Sequence, residues 1–123
     1  MKLHEAKTAG SKLFTAYGAG YVEINGERFS GSLIVTADSV QPWAPTSFEA
    51  LAAEHFADLL ALQPEVVIFG SGQRLRFPHP RLTAALSNAG IGVEVMDSNA
   101  ACRTYNILLA EDRQVIAVLL GES

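Results

Sequence analysis

The stretch Val66-Val67-Ile68-Phe69-Gly70-Ser71-Gly72 decides the fold class of this chain of 123 residues. Its first four residues form a continuous apolar run, which is typical of a β-strand covered on both faces. The sequence Gly70-Ser71-Gly72 then turns the chain. We therefore expect a strand placed centrally in a β-sheet, with helices packed on that sheet.

The sequence after this strand alternates between helix and strand patterns. Pro78-His79-Pro80 introduces a helix that continues to about Ala89, and Gly90 is the expected C′ residue at its end. The elements predicted after it are a short strand over residues 93–96, a helix capped by Asp97 or Ser98, and a closing strand over residues 115–120. This alternation indicates the α/β class.

The sequence before the central strand predicts a β-hairpin. Residues 20–24 alternate into Asn25-Gly26, the strongest short hairpin signal, and residues 27–29 lead back out. Residues 33–36 predict a further strand, and residues 38–45 a loop. That loop holds Trp43, which either closes the core or anchors an interface.

A helix is expected between this loop and the central strand. Thr46-Ser47-Phe48-Glu49 has the form of a capping box, and apolar residues then recur at helical spacing, which predicts a helix over residues 47–62. His55 falls on its apolar side, where a histidine with a satisfied ring nitrogen is expected rather than a ligand. We find no repeat or linker, so residues 1–123 are predicted to form a single domain.

The charge and cysteine content restrict the function classes. The net charge is −4 and no basic run occurs, which argues against nucleic-acid binding. Arg74, Arg76 and Arg81 are most simply a solvated face. No segment has transmembrane length and no secretory signal is evident, so we expect no membrane insertion. One cysteine excludes an intrachain disulfide and fits a cytoplasmic protein.

The glycine turn invites comparison with phosphate-binding loops, but the match is incomplete. A dinucleotide fingerprint needs a third glycine where Leu75 stands, and a helix directly after the glycines. A Walker Lys-Ser/Thr pair is also missing. A tight turn that requires positive φ is the simpler explanation, and no cofactor is predicted.

The predicted helix entry from Asp97 to Asn106 is the part of the sequence richest in reactive side chains. Cys102 lies near a helix N-terminus beside Arg103, where a thiolate nucleophile would be stabilised, although buried free cysteine is commoner. None of the three histidines that could assist it, His4, His55 and His79, lies in a recognisable motif. We therefore assign no catalytic residue. Because His, Cys and carboxylate residues are scattered, no metal site is predicted either.

Three hydrogen-bonding residues on this helix are candidates for a ligand or partner site. Arg103, Thr104 and Asn106 lie within about one helical turn, and they either tie the helix to the sheet or present Arg103 to an anion or a partner's carboxylate. If the two strand ends are neighbours, Gly70-Ser71-Gly72 would contribute backbone N–H groups to that site. The candidate site therefore consists of Gly70, Ser71, Gly72, Arg103, Thr104 and Asn106.

The motifs together resemble those of the Mth-type domain of unknown function, family 498. The resemblance covers nearly the whole chain and depends most on Ala101-Cys102-Arg103-Thr104-Tyr105-Asn106, followed by Glu111 and Arg113. It implies a three-layer α/β fold with a mixed central sheet, flanking helices and an N-terminal β-hairpin layer. The resemblance also implies relatives that include a mitochondrial complex I assembly factor, with no established enzymatic reaction.

These observations lead to two functional hypotheses. The first is a non-enzymatic protein-interaction or assembly-factor-like domain with a protein partner. The alternative is a small-anion or metabolite-binding domain, or a vestigial enzyme, with a pocket near Ser71 and Arg103.

Overall fold

The structure, a computed structural model, describes residues 10–121. Within that range the chain forms two β-sheets and three α-helices. The strands are β1 (Phe14–Gly18), β2 (Tyr21–Ile24), β3 (Glu27–Phe29), β4 (Leu33–Val35), β5 (Val40–Pro42), β6 (Val66–Gly70), β7 (Gly92–Met96) and β8 (Val115–Leu119). The helices are α1 (Ala53–Ala57), α2 (Pro80–Asn88) and α3 (Ser98–Ala110), with short 3-10 helices at Phe48–Ala50 and Asp58–Leu62.

A mixed five-stranded sheet forms the centre of the fold, with strand order β5-β4-β8-β6-β7. The strands β7, β6 and β8 run parallel, whereas β4 is antiparallel to β8. Every residue of β6 and β8 is buried, as their continuous apolar runs predict. The predicted interior position of β6 is confirmed, with β8 as the middle strand.

The two faces of the central sheet are covered by different elements. Alternate residues of β6 project to opposite faces: Val66 and Ile68 pack with α3, whereas Val67 and Phe69 pack with α1, α2 and Trp43. The small sheet β1-β2-β3 packs on the same side as α3 through its buried residues Phe14, Val22 and Ile24. The expected α/β class with three layers is therefore confirmed.

The N-terminal hairpin forms as the sequence predicts. Asn25 and Gly26 have φ of 51° and 86°, the left-handed conformation that a type I′ hairpin turn requires at both positions. The additional strand β1 was not predicted. Its pairing with β2 has a register irregularity between Phe14 and Ala16, and the burial of its residues does not alternate regularly.

The predicted helix over residues 47–62 is wrong in its continuity. Ser47 does accept a hydrogen bond from the Ala50 N–H, but only one 3-10 turn follows, because the backbone of Leu51 is extended and its side chain enters the core. A new helix, α1, begins at Ala53, where His55 Nδ1 accepts the Ala52 N–H at 2.9 Å. The expectation that a ring nitrogen of His55 is satisfied is confirmed.

Two details of the loop over residues 38–45 also differ from or extend the prediction. Val40–Pro42 forms the short edge strand β5 rather than loop, and Pro42 is tolerated there because an edge strand has a side that needs no partner. Trp43 is 5% exposed and packs edge-on against Phe56 and Phe69. It closes the core and is not an interface anchor.

Candidate functional site

The glycine turn lies directly beside the entry of α3. Gly70 pairs with Met96 in the parallel ladder between β6 and β7, so the ends of these two strands are neighbours, as the sequence hypothesis requires. A Cβ atom on Gly70 would lie 2.6 Å from Leu119 Cδ2 and 3.0 Å from Ser98 Oγ. Gly72 has φ of 99°. Gly70 therefore leaves little room for a side chain between β8 and the start of α3, and Gly72 has the backbone conformation that favours glycine.

The polar groups of Ser71 are used within the fold. Its side chain is fully buried, donates to the Arg74 carbonyl at 2.6 Å and accepts the Arg76 N–H at 3.0 Å. Its backbone N–H donates to the Met96 carbonyl at 2.9 Å, and the Gly72 N–H donates to Ser98 Oγ at 3.0 Å. Because both of these N–H groups already donate hydrogen bonds within the fold, neither is available to bind an anionic ligand.

The entry of α3 has the predicted cap. Asp97 Oδ1 accepts the Ala100 N–H at 2.9 Å, which makes Asp97 the N-cap residue. Ser98 instead bonds the turn, because its N–H donates to the Gly72 carbonyl at 2.8 Å while its hydroxyl accepts the Gly72 N–H. The pair Gly72 and Ser98 thus holds the turn and the helix together.

Cys102 is a core residue. Its side chain is fully buried, and burial raises the pKa of the thiol to about 12 despite the neighbouring Arg103 charge. The nucleophile needs the thiolate, which a buried apolar environment disfavours. His55 and His79 accept backbone N–H groups at Ala52 and Arg81, and His4 lies outside the described residues. The geometry does not support a nucleophilic role for Cys102.

Asn106 and Tyr105 join α3 to the N-terminal sheet. The Asn106 amide donates to the Phe14 carbonyl at 2.8 Å and accepts the Phe14 N–H at 3.0 Å, so it serves as the hydrogen-bonding partner of one residue of β1. Tyr105 donates its hydroxyl to the Lys12 carbonyl at 2.9 Å. These hydrogen bonds support the structural alternative for Asn106, in which its side chain ties the helix to a sheet.

Arg103 is the exposed member of the candidate set. Its Nη1 donates to the Tyr17 hydroxyl at 2.7 Å, and this hydrogen bond is the main cause of an Arg103 pKa above its usual value. Thr104 follows it, half-buried, and Ile107 lies one turn further along the same face with 57% of its surface exposed. Tyr17 and Ile107 were not singled out from the sequence. The sequence signal that identifies Ile107 is its spacing of four residues from Arg103, which places both residues on the same face of the helix.

A narrow cleft opens where the two sheets meet the start of α3. It has a volume of about 50 Å³ and its lining includes Gly18, Gly31, Gly72, Ser98, Asn99 and Gly121. Glycine is required at 121, because a Cβ atom there would lie 2.0 Å from the Gly31 carbonyl carbon. Ligand pockets usually measure roughly 300–1,000 Å³, so this cleft has room for little more than water. Arg103 lies one helical turn beyond Asn99.

Within residues 10–121, no three or more His, Cys, Asp or Glu side chains lie close enough together to hold a metal ion. None of the helices in this range has the length and the apolar composition that a membrane-spanning helix needs.

Comparison with known proteins identifies the family. A family model described as "Protein of unknown function (DUF498/DUF598)" matches residues 14–120, which include the whole candidate site. The chain belongs to this family. The resemblance to Mth-type domains is thereby confirmed.

Solved structures agree with this assignment. The chain is similar to the crystal structure of a Bordetella parapertussis protein, with a TM-score of 0.86 and 38% identity over 91% of this chain and 97% of that one. A Bordetella pertussis protein described as an Mth938-like domain gives a TM-score of 0.76 and 33% identity, covering 89% of this chain and 85% of that one.

Curated relatives carry several names. An uncharacterized protein of Rhodobacter capsulatus is 34% identical over 98% of this chain and 93% of its own length. Assembly factor 3 of the NADH dehydrogenase 1 alpha subcomplex from Bos taurus is 35% identical over 82% of this chain, which spans 55% of that protein's length. A "13 kDa major membrane protein" of Francisella tularensis is 28% identical over 98% of this chain and 99% of its own length.

Proposed function

We propose that this chain is a non-enzymatic protein-interaction domain with an assembly-factor-like role, which binds its partner through the outer face of α3. The similarity to assembly factor 3 of several vertebrates, at 27–35% identity, supports a role in bringing proteins together. Cys102, the one candidate nucleophile of the α3 entry, is buried with a raised pKa, which gives no support to an enzymatic role.

The observation that carries this proposal is an exposed arginine held in a fixed direction beside exposed apolar surface. The Tyr17 hydroxyl holds one end of the Arg103 guanidinium, so the remaining N–H donors are presented to solvent in a defined orientation. Ile107 supplies apolar area next to them. An arginine that loses little conformational freedom on binding, with apolar surface beside it, is the composition of an interface anchor for a partner's carboxylate.

The other candidate residues would position this helix. Gly70, Ser71 and Gly72 close against Ser98, and Asn106 fixes α3 to β1, so their bonds set the direction in which Arg103 and Thr104 face. The alternative, a pocket for a small anionic metabolite near Ser71 and Arg103, has less support, because the Ser71 and Gly72 amides are already bonded and the adjacent cleft is about 50 Å³.

The test is quantitative affinity capture from the protein's own cells, with the wild type and Arg103→Glu compared by mass spectrometry. If Arg103 lies at the centre of the interface with its partner and contributes about 2 kcal/mol there, reversing its charge should lower the affinity for that partner, and so its capture, by about thirtyfold. Recovery of the same partners at unchanged levels by Arg103→Glu would contradict the proposal. A thermal-shift screen of phosphorylated and carboxylate metabolites tests the alternative, because a bound ligand stabilises the folded state.

The chain offers a matched control for this experiment. Arg28 stacks on the Tyr21 ring at 3.9 Å, as Arg103 lies over the Tyr17 ring at 5.8 Å. In the strand pairing Arg28 is opposite Glu23, whereas Tyr17 is opposite Val22, so the two arginine–tyrosine pairs lie on different faces of the small sheet. Arg28→Glu makes the same charge change and should leave capture unaltered.

We also propose a cytoplasmic location, on the support of the free, buried Cys102. Because a similar Francisella protein is named a membrane protein, cell fractionation is the appropriate check. Recovery of the protein with the membrane pellet after a high-salt wash would contradict this location.

A further inference from the structure

A second surface, on the opposite edge of the fold from β5, has features that the role of α3 does not use. The strand β7 ends the central sheet, and within residues 10–121 it pairs only with β6. The backbone N–H and C=O groups on its other side therefore lie along a free edge, which is a template for another strand. Beside this edge runs a groove of about 440 Å³.

The groove has apolar residues next to β7. Val93 and Val95, which belong to the core layer under α2, line it together with Pro78, Pro80 and Ile91, and the polar Thr83 and Ser87 of α2 also line it. Glu94 alternates with these valines and projects from the other face of the strand. A strand added at this edge would therefore place every second side chain in the groove against the two valines.

The segment leading into the groove is both basic and apolar, although the chain as a whole is acidic. Residues 73–81 contain Arg74, Arg76 and Arg81 and no acidic residue, against a net charge of −4 for the whole chain. Arg76 folds back to stack on Phe48 at 4.6 Å and lies 3.8 Å from Glu49, whereas Arg74 and Arg81 are exposed and pair with no acidic group in the described range.

Two apolar side chains project from this same segment. Leu75 is 53% exposed and Phe77 67% exposed, and Phe77 immediately precedes Pro78 of the groove. We call residues 73–81 the basic segment. Exposed apolar surface between the exposed Arg74 and Arg81 is complementary to a partner that carries apolar residues and carboxylates.

We propose that the free edge of β7 binds an extended segment of an acidic partner protein, which adds as a further strand of the central sheet. Its apolar residues, at alternate positions, occupy the groove over Val93 and Val95, and its carboxylates meet Arg74 and Arg81. This surface is distinct from the α3 face around Arg103, so it goes beyond the proposed function and can fail independently of it.

Charge disfavours a second copy of the chain as the occupant. A two-fold pair of β7 strands centred on Glu94 would bring two carboxylates together, and would also bring two basic segments to the same interface. An acidic partner meets no such repulsion from the basic segment. The partner's residue opposite Glu94 is expected to be neutral or basic.

The test uses fluorescein-labelled heptapeptides of alternating Val and Thr, with two Asp residues at the N-terminus of one and at the C-terminus of the other, because either strand direction is allowed. Fluorescence anisotropy measures affinity, and amide chemical shifts locate the site. We expect the preferred peptide to shift the amides of residues 92–96 and to bind about tenfold more tightly than its Lys counterpart. The same peptide with Pro at its central position should not bind, because it lacks a ladder N–H.

Variants of the protein separate the two surfaces. Arg74→Glu with Arg81→Glu, and separately Phe77→Ser, should each weaken the preferred peptide by about tenfold. Leu62→Ser, at a residue 41% exposed, is the matched control for Phe77→Ser and should have no effect, as should Arg103→Glu. The proposal would be overturned if neither Asp peptide binds, or if the Lys peptides bind equally well. It would also be overturned by amide shifts confined to α3, or by a dimer in which the β7 amides are protected from hydrogen exchange.

Discussion

Replacement of Asn106 by alanine tests whether the candidate site is held together by the helix-to-strand connection seen in the fold. Both hydrogen-bonding ends of the Asn106 amide are used by one residue, since it donates to the Phe14 carbonyl and accepts the Phe14 N–H at 2.8 and 3.0 Å. The Phe14 side chain is 6% exposed and packs edge-on against Tyr105, with ring centroids 5.3 Å apart. Asn106→Ala therefore removes the polar support of a core contact.

The size of the effect follows from the two lost bonds. Each contributes about 1 kcal/mol net, and the Phe14 N–H and C=O, which are partly buried, each lose a partner that water replaces only in part. We expect the free energy of unfolding to fall by about 2–3 kcal/mol. For a chain of this length that corresponds to a decrease in Tm of roughly 6–12 °C.

The assay is urea unfolding followed by far-ultraviolet circular dichroism, with Asn99→Ala as control. Asn99 is exposed on the same helix, so its replacement should change stability by less than about 0.5 kcal/mol. If Asn106→Ala is no less stable than Asn99→Ala, the reasoning that assigns Asn106 a structural role is refuted.

A second substitution at the same position separates the two bonds. Asn106→Asp keeps an acceptor for the Phe14 N–H but places a carboxylate oxygen against the Phe14 carbonyl unless it is protonated. The fold then favours the protonated acid, so the pKa of the introduced group is raised in the folded state. The protonated acid therefore stabilises the folded variant at low pH, and this contribution to the free energy of unfolding is lost as pH rises through that pKa. Stability that instead rises with pH relative to wild type would contradict this geometry.

Two further predictions concern titrating groups. Because burial raises the pKa of Cys102 to about 12, iodoacetamide at pH 8 should leave the folded protein unmodified and should label the protein unfolded in urea. Mass spectrometry of the intact protein measures the labelling. Rapid labelling of the native protein would contradict a buried thiol. The pKa of Glu65 lies below its usual value because its carboxylate accepts the Gln114 N–H and pairs with Arg113. The Glu65 carboxylate therefore contributes its full stabilisation above the pKa it has in the unfolded chain, and this stabilisation is lost as pH falls through its pKa in the folded protein. The urea midpoint of Glu65→Gln should accordingly lie below that of the wild type at pH 7, and the two midpoints should converge below about pH 4. A difference independent of pH would contradict this.

The elements that were predicted correctly are those whose cause is local. The hairpin at Asn25-Gly26 needs two residues that tolerate positive φ, and α3 needs the Asp97 cap, so neither depends on distant contacts. The broken helix over residues 47–62 was predicted as continuous because helical spacing cannot show that Leu51 leaves the helix to fill the core. The strand β5 depends on pairing with β4, which no local pattern encodes.

The candidate site shows the same division. The sequence indicated that Arg103, Thr104 and Asn106 needed hydrogen-bonding partners, but the partners of Arg103 and Asn106 are Tyr17 and Phe14, which lie in a strand that was not predicted. Likewise, Ser71 was a possible ligand residue until its bonds to the backbone of Arg74 and Arg76 were known. Contacts across 86 or more residues are set by the packing of sheets, not by spacing along the chain.

The sequence by itself determined the α/β class, the interior strand β6, the capped helix α3 and the family, because continuous apolar runs, turn residues and caps act within a few positions of each other. Only the tertiary structure decided which polar groups remain available. Burial removes Cys102 from solvent, the turn and α3 use each other's hydrogen bonds, and Arg103 stays exposed against Tyr17. A polar group's availability depends on what packs against it, and that is a property of the assembled layers.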